Sequence, residues 1–385
     1  MWKLLLISIT LTLSAKILAA PLDYFKSTYA DCDASFNEIF ARVTKQNPKA
    51  QIYQFLYSEG NIKSYFIPAS VTPDNLLILI AGTHGIEAFA GSAVQRFMLD
   101  KPLDLKKTSL LLIHGFNLYG FKNERRVNEN NMDLNRSFIL NRSSFRPDDQ
   151  KYGLINSFLN PDETASLNFL SRPLFLIRSV FKILQYSMDT LRSSVLRGQY
   201  TFPHGVFYGG KEPAAQELLI DQLVQRYIQN SYKKIMLVDL HTGYGERSKL
   251  HLLAGKTLDP NSVRLSRVFG DGQIDFSDKK NFYAVEGEML TYFSAKISEK
   301  NTAAEVSAVT FEFGTMDSQK TLGSIESLRR VILENQNFHH PADPDTSNEI
   351  KSLYREMFFP SDSDWRESVL KQAAARLEQV FNYLN

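Results

Sequence analysis

Four short apolar runs, each of strand length, most constrain the fold of this 385-residue chain. The runs are residues 76–81, 109–114, 235–240 and 306–313. Such uninterrupted runs are typical of strands buried on both faces of a mostly parallel sheet. Helical patterns at residues 88–99 and 214–229 fall between them, which is a βαβ-like alternation. The sequence therefore predicts an α/β fold: a mostly parallel or mixed twisted sheet with helices on both faces.

The charge balance limits the partners that such a protein can have. The chain has 44 basic and 42 acidic residues, a formal net charge of +2. This is too balanced for a protein whose main partner is a nucleic acid or an anionic surface. The single cysteine, Cys32, excludes an internal disulfide and a thiolate metal site. A small molecule or a peptide is the expected partner, and any metal must be held by histidine and carboxylate side chains.

The first residues have the form of a secretory signal. Lys3 precedes an apolar stretch at residues 4–15, and the small residues Ala19 and Ala20 follow. This stretch is too short to span a bilayer. We expect residues 1–20 to be a signal peptide and residues 21–385 to be a single domain outside the cytoplasm, periplasmic or secreted. An uncleaved N-terminal anchor is the alternative.

Residues from about 140 to 205 have the character of a helical insertion. Apolar residues recur there at roughly helical spacing with basic residues between them: Leu174, Phe175, Val180, Phe181, Ile183 and Leu184 alternate with Arg172, Arg178, Lys182, Arg192 and Arg197. A basic amphipathic helix of this kind can touch a membrane or cover a cleft. We favour a helix that packs on the domain with a solvated basic face, and membrane contact is the less favoured reading.

Candidate metal ligands lie just past the apolar runs, where ligands bind in open α/β sheets. His84 and Glu87 form an H-x-x-E pair after the first run, and this spacing lets an imidazole and a carboxylate converge on one ion. A catalytic zinc site adds a third, distant ligand and keeps one position open for water. His241, after the third run, fits that role, and His114, after the second run, competes for it.

The segment from Arg126 to Arg136 carries a family resemblance. It contains R-x-N and then D-L-N-R, with H-x-x-E upstream, D-L-H downstream and T-F-E at residues 310–312. In this order the motifs resemble those of the zinc carboxypeptidase (carboxypeptidase A-like metallopeptidase) family. The match is best to a little-characterised branch that also carries motifs like those at residues 207–210 and 312–315. It covers roughly residues 50–330 and implies a carboxypeptidase-like (phosphorylase/hydrolase-like) fold.

The resemblance implies a zinc centre with one ion per chain. His84, Glu87 and His241 would bind the ion together with a water molecule, and Asp133 would orient the first histidine. Glu312 would act as the general base, since a carboxylate beside zinc-bound water can take its proton and pass it to the leaving amine.

The resemblance also implies roles for residues that contact the substrate. Arg126 would stabilise the oxyanion, with Arg125 as the alternative. Asn135 and Arg136 would hold the terminal carboxylate of the substrate, because a guanidinium matches a carboxylate with two hydrogen bonds. The hydroxyl of Tyr283 would contact the substrate, and Tyr292 competes for this role. Glu288 departs from the family pattern, which leaves the side-chain preference open.

These observations predict a zinc-dependent hydrolase. The favoured activity is that of a metallocarboxypeptidase cleaving an amide bond next to a free carboxylate in a peptide. An aspartoacylase-like deacylase of N-acyl amino acids would use much the same residues, and a non-catalytic binding protein of the same fold is a further alternative. A serine hydrolase is disfavoured because the chain contains no G-x-S-x-G motif.

Overall fold

The protein is described from a computed structural model, which covers residues 21–168, 171–186, 197–255, 260–276 and 287–385. The predicted signal peptide lies outside the described residues, as does Tyr283. The eight strands are β1 (Gln51–Tyr57), β2 (Gly60–Ile67), β3 (Asn75–Ala81), β4 (Thr108–His114), β5 (Lys234–Gly243), β6 (Leu250–Ala254), β7 (Ile274–Phe276) and β8 (Glu305–Gly314). They form one sheet in the order β1-β2-β4-β3-β5-β8-β6-β7.

The four apolar runs form the centre of this sheet. They are β3, β4, β5 and β8, and the strand pairs β3–β4, β3–β5 and β5–β8 are all parallel. Antiparallel pairing occurs on either side, between β1 and β2, β2 and β4, and β6 and β8. The predicted α/β fold with a mostly parallel or mixed sheet is therefore confirmed. Because β3, β5 and β8 run in the same direction, residues that follow them meet at one edge of the sheet.

Helices cover both faces of the sheet. Their bounds are α1 (Tyr29–Gln46), α2 (Ala88–Leu99), α3 (Leu118–Asn123), α4 (Gln150–Leu159), α5 (Ser171–Tyr186), α6 (Ala215–Tyr227), α7 (Pro260–Phe269), α8 (Met289–Lys300), α9 (Thr321–His339), α10 (Pro344–Phe358) and α11 (Ser363–Leu384). One core cluster joins the sheet to α1, α2, α7, α10 and α11, and a second joins the other face to α6 and α8.

The strand periodicity divides the sheet between these two cores. In β3, Leu77 and Leu79 belong to the first core, while Leu76, Ile78 and Ile80 belong to the second. Successive side chains of a strand point to opposite faces, so a strand buried on both sides needs an unbroken apolar sequence. This is the physical reason that the runs are continuous rather than alternating.

The predicted insertion contributes α4 and α5. These helices form a small separate apolar cluster with residues of α9, apart from the two cores of the sheet. Within the described part of the chain, no helix combines the length and the apolar character needed to cross a membrane.

Candidate active site

The H-x-x-E pair lies in a tight turn between β3 and α2. His84 precedes a short 3-10 helix, Gly85–Glu87, which leads directly into α2. Gly85 is required here because a Cβ at this position would lie 2.1 Å from the backbone of Gly120. The backbone N–H of Gly85 also donates to the carbonyl of Arg126 at 3.2 Å. The turn that carries both predicted ligands is therefore fixed against the loop that carries the R-x-N motif.

His241 lies near the end of β5, beside Glu312 on β8. The two residues are register partners in the parallel pair, so their side chains leave the sheet on the same face. Glu312 is buried, and its Oε1 accepts the backbone N–H of Tyr244 at 2.9 Å. The two neighbouring strands therefore bring a candidate ligand and the candidate general base together.

The structure places His114 at the same edge of the sheet but on the opposite face from His241. Ala81 pairs with both His114 and Leu240, so His114 shares a face with Leu240 and not with His241. Its Nε2 lies 2.9 Å from Ser92 Oγ, and its ring packs 4.4 Å from that of Phe36. Burial lowers the pKa of His114 to about 3, with a contribution from nearby cationic side chains. This histidine is a neutral core residue.

The atoms of His84, Glu87 and His241 converge on one point. Nδ1 of His84 lies 3.0 Å from Glu87 Oε1, and Nδ1 of His241 lies 3.1 Å from Glu87 Oε2. The two Nδ1 atoms are themselves 3.1 Å apart. All three side chains are buried, and among the described residues they are the one group whose geometry could hold a metal ion.

A carboxylate lies behind each histidine. His84 Nε2 is 3.0 Å from Asp133 Oδ1, which is the role predicted for Asp133. His241 Nε2 is 2.5 Å from Asp239 Oδ2, and both carboxylate oxygens of Asp239 also accept from Thr83 Oγ1, at 3.0 and 2.9 Å. Asp239 was not assigned from the sequence, although its position two residues before His241 on one strand would have indicated it. Such carboxylates fix the tautomer of a metal-binding histidine and raise its basicity.

This donor set fits a metal ion. In a neutral ring whose Nε2–H donates to the aspartate, Nδ1 carries a lone pair, so the two lone pairs and the Glu87 carboxylate would face one another. Without a proton or a cation between them these groups repel. Tetrahedral zinc with ligands at about 2.0–2.1 Å keeps its ligand atoms about 3.3 Å apart, close to the separations found here.

The charges of the site couple these groups strongly. Burial would raise the pKa of Glu87, but the charges of His84 and His241 and their hydrogen bonds hold it well below its usual range. Burial would lower the pKa of His241, but the carboxylates of Asp239 and Glu87 raise it well above its usual range. Burial and the nearby Glu87 carboxylate raise the pKa of Glu312 to about 8. In the metal-free protein the site therefore retains protons that a bound cation would displace.

Arg126 and Arg125 point in different directions. The guanidinium of Arg126 reaches into the site, with Nε 3.0 Å from Asp133 Oδ2 and Nη1 3.3 Å from Glu87 Oε1. Arg125 instead binds Glu334 on α9, with Nε 2.7 Å from Oε1, and its guanidinium lies 3.6 Å from the ring centre of Phe338. Of the two arginines, the structure brings Arg126 to the candidate ligands.

The predicted carboxylate-binding residues lie beside the same cluster. Asn135 Oδ1 accepts the backbone N–H of Met289 at 3.0 Å, which ties it to the start of α8. Arg136 is buried, its Nη1 donates to the carbonyl of Asn135 at 2.7 Å, and its buried Nε has no hydrogen-bond partner in the part of the chain described. Tyr292 is buried in α8 and packs against Phe138 at 5.4 Å, a packing role. The role of Tyr283, which lies outside the described residues, stays a prediction.

A family profile described as "Protein of unknown function (DUF2817)" matches residues 66–372. No curated protein sequence matches the chain at a significant level. Solved structures similar to the chain include carboxypeptidase A from Helicoverpa armigera, with 14% identity over 86% of this chain and 78% of that one and a TM-score of 0.41. They also include a metallo-carboxypeptidase from Pseudomonas aeruginosa in complex with (2-guanidinoethylmercapto)succinic acid, with 13% identity over 92% and 71% and a TM-score of 0.40.

A third similar structure is a murein-tripeptide amidase from Escherichia coli O157, with 15% identity over 77% of this chain and 92% of that one and a TM-score of 0.38. All three TM-scores lie below 0.5. A functional assignment therefore depends on the chain's own residues.

Proposed function

We propose a hydrolytic function for this chain, which belongs to the DUF2817 family: zinc-dependent cleavage of an amide bond next to a free carboxylate. The observation that carries the proposal is the convergence of two imidazole Nδ1 atoms and the Glu87 carboxylate within 4.8 Å of one another. Each imidazole is backed by an aspartate, and a buried glutamate lies on the next strand. This combination supports a catalytic centre better than a purely structural one, because a structural site needs no buried carboxylate base beside its ligands.

His84, Glu87 and His241 would hold the zinc ion. When bound, zinc supplies a Lewis acid that lowers the pKa of a coordinated water to about 7. Glu312 takes the proton of the attacking water and later donates it to the leaving amine. Its raised pKa in the metal-free state indicates a carboxyl group that holds a proton readily in this apolar setting. The nearby charge of a bound cation would bring that pKa back down, towards the operating pH.

Arg126 would stabilise the negative charge that develops on the carbonyl oxygen. Two of its N–H groups are bound to Asp133 and Glu87, which fixes the plane of the guanidinium before substrate arrives. A fixed cation in a largely buried site stabilises an oxyanion without reorganising in the reaction.

Arg136 supports a substrate with a free carboxylate. A buried guanidinium whose Nε has no partner among the described residues is costly unless an anion completes its hydrogen bonds. A carboxylate accepts two parallel N–H bonds from such a group. Peptides with a free C-terminus and N-acyl amino acids both carry this feature, so both belong to the proposed substrate class.

Metal content is the first test. The purified protein should contain about one zinc per chain by elemental mass spectrometry, and His84→Ala should lose it. His251→Ala is the matched control, because His251 is also paired with an aspartate, Asp275, at 3.1 Å but lies outside the cluster. Absence of zinc, with none taken up on addition, would overturn the proposal.

Activity is the second test. Short peptides with a free C-terminus should be hydrolysed, while the same peptides with an amidated C-terminus should not. N-acyl amino acids, assayed in parallel, separate a peptidase from an aspartoacylase-like deacylase. Glu312→Gln should retain zinc and lower turnover by about 100-fold or more. If zinc is bound but no substrate of either kind is turned over, a non-catalytic binding protein becomes the better description.

A further inference from the structure

Helix α5 is held to the domain by one side. Phe175 stacks on Phe158 of α4 with ring centres 5.2 Å apart, and Tyr186 packs on the same small cluster. Ser179 between them is the one buried residue of the helix. At 3.6 residues per turn, positions 175, 179 and 186 fall within about 40° of one another, so they define the inner side of the helix.

The opposite side of α5 is apolar and exposed. Five large apolar side chains on this side point away from the domain and are 45–77% exposed. They are Leu174, Ile177, Val180, Phe181 and Leu184. At about 100° per residue these five positions span roughly 120° of the helix, centred opposite the inner side. The outward side of a surface helix normally carries polar residues. A continuous outward apolar stripe marks a surface for interaction.

The charges of α5 are all of one sign. Arg172, Arg178 and Lys182 are its only ionisable groups besides Tyr186, and the helix contains no aspartate or glutamate. Arg178 projects on one side of the apolar stripe, about 100° from its centre, and Arg172 on the other side, about 140° from its centre and nearer the inner side of the helix. Arg172 also binds Glu326 of α9 at 3.2 Å, which anchors that edge to the domain. A cation therefore lies beyond each edge of the stripe, and Arg178 is the nearer of the two.

We propose that the outward face of α5 docks on the surface of an anionic phospholipid bilayer. A helix that lies in the interface buries an apolar face among the acyl chains and places basic residues at the headgroups. Arg178, the cation nearest the stripe, and the absence of acidic residues from α5 match the negative potential of such a surface. A protein partner would not require flanking charges of one sign only. This surface goes beyond the hydrolytic function and does not depend on it.

Vesicle co-sedimentation of the purified protein tests the proposal. The protein should bind vesicles of mixed phosphatidylglycerol and phosphatidylcholine, and bind phosphatidylcholine alone much more weakly. Binding should fall in about 1 M salt, where the screening length is about 3 Å. The double variant Phe181→Ser/Leu184→Ser should lower the partition coefficient about tenfold or more. Arg178→Gln should lower it about fivefold, the effect of one interfacial cation.

The matched control removes equally exposed leucines elsewhere. Leu56 on β1 and Leu322 on α9 are 74% and 72% exposed, similar to Leu184 at 77%. The variant Leu56→Ser/Leu322→Ser should bind vesicles like the unmodified protein. Because all these side chains are exposed, each variant should keep the circular dichroism spectrum and melting temperature of the parent, which separates lost binding from lost folding.

Three results would overturn the proposal. The first is absence of binding to either kind of vesicle. The second is equal loss of binding in the control variant. The third is a concentration-dependent dimer, detected by sedimentation equilibrium and abolished by Phe181→Ser/Leu184→Ser, which would assign the face to a second copy of the chain.

Discussion

Replacing Asp239 by asparagine tests whether the carboxylate behind His241 tunes the metal centre. Asp239 is buried, lies 2.5 Å from His241 Nε2 and is held by Thr83 Oγ1. An asparagine can present its amide oxygen to the Nε2–H and its amino group to the threonine oxygen. The substitution therefore keeps both hydrogen bonds and removes only the negative charge.

The expected loss follows from the loss of that charge. A hydrogen bond to a charged group contributes about 1.5–3 kcal/mol, and a neutral one about 0.5–1.5 kcal/mol. A bound metal ion gives the His241 ring partial positive charge, which a neutral asparagine stabilises less than an aspartate does. The difference, about 1–1.5 kcal/mol, corresponds to about a tenfold lower zinc affinity. Loss of such a partner typically weakens metal affinity by about 10–100-fold, and full burial favours the upper part of that range.

Competition with a fluorescent zinc chelator at constant pH measures this change. Asp275→Asn is the matched control, because it makes the same chemical change at another aspartate–histidine pair, His251 Nδ1–Asp275 Oδ2 at 3.1 Å. We expect a zinc affinity 10–100-fold lower for Asp239→Asn, as estimated for loss of such a partner, and an unchanged affinity for Asp275→Asn. The reasoning is refuted if Asp239→Asn, folded and with an unchanged melting temperature when loaded, binds zinc as tightly as the parent.

Further predictions concern protons and ion pairs. Glu312→Gln should lower turnover by about 100-fold or more with zinc retained. The pKa of Glu312 in the folded, metal-free protein is raised from 4.5 to about 8. Its contribution to the stability of the fold is therefore present below about pH 4.5 and is lost as the pH rises through about 8. The melting temperature of metal-free Glu312→Gln should lack that decline. The raised pKa of His241 predicts that zinc displaces a proton and that affinity falls about tenfold per pH unit on acidification, which calorimetry in buffers of different ionisation enthalpy will detect. Arg125→Ala should destabilise the protein by about 3 kcal/mol in denaturant unfolding, because it removes the ion-pair partner of the partly buried Glu334. The control Lys249→Ala, at an exposed ion pair, should have little effect.

The sequence predicted the central secondary-structure elements and most of the candidate site residues. The four apolar runs identified the central strands because burial on both faces requires unbroken apolar sequence, a local property. The H-x-x-E and D-L-H motifs predicted His84, Glu87 and His241 as ligands, and the resemblance predicted roles for Asp133, Arg126 and Glu312. These predictions needed no knowledge of how distant segments meet.

The sequence could not decide between two residues that were candidates for the same role. His114 and His241 both end apolar runs, and only the strand register, in which His114 shares a face with Leu240, separates them. A one-residue offset in a strand reverses the face to which a side chain points, and register depends on pairing with other strands. Arg125 and Arg126 likewise differ only in whether the loop turns them towards α9 or towards Glu87.

What the sequence by itself determined is therefore the set of secondary-structure elements and the kinds of donor atoms available, since both follow from local periodicity and residue type. What only the tertiary structure decided is convergence. The two Nδ1 atoms face each other at 3.1 Å, and a carboxylate, Asp133 or Asp239, lies within hydrogen-bond distance of the Nε2 of each histidine. The apolar stripe of α5 points away from the domain. These facts depend on the parallel order of β3, β5 and β8 and on which side of a helix packs, and both arise from contacts between segments far apart in the chain.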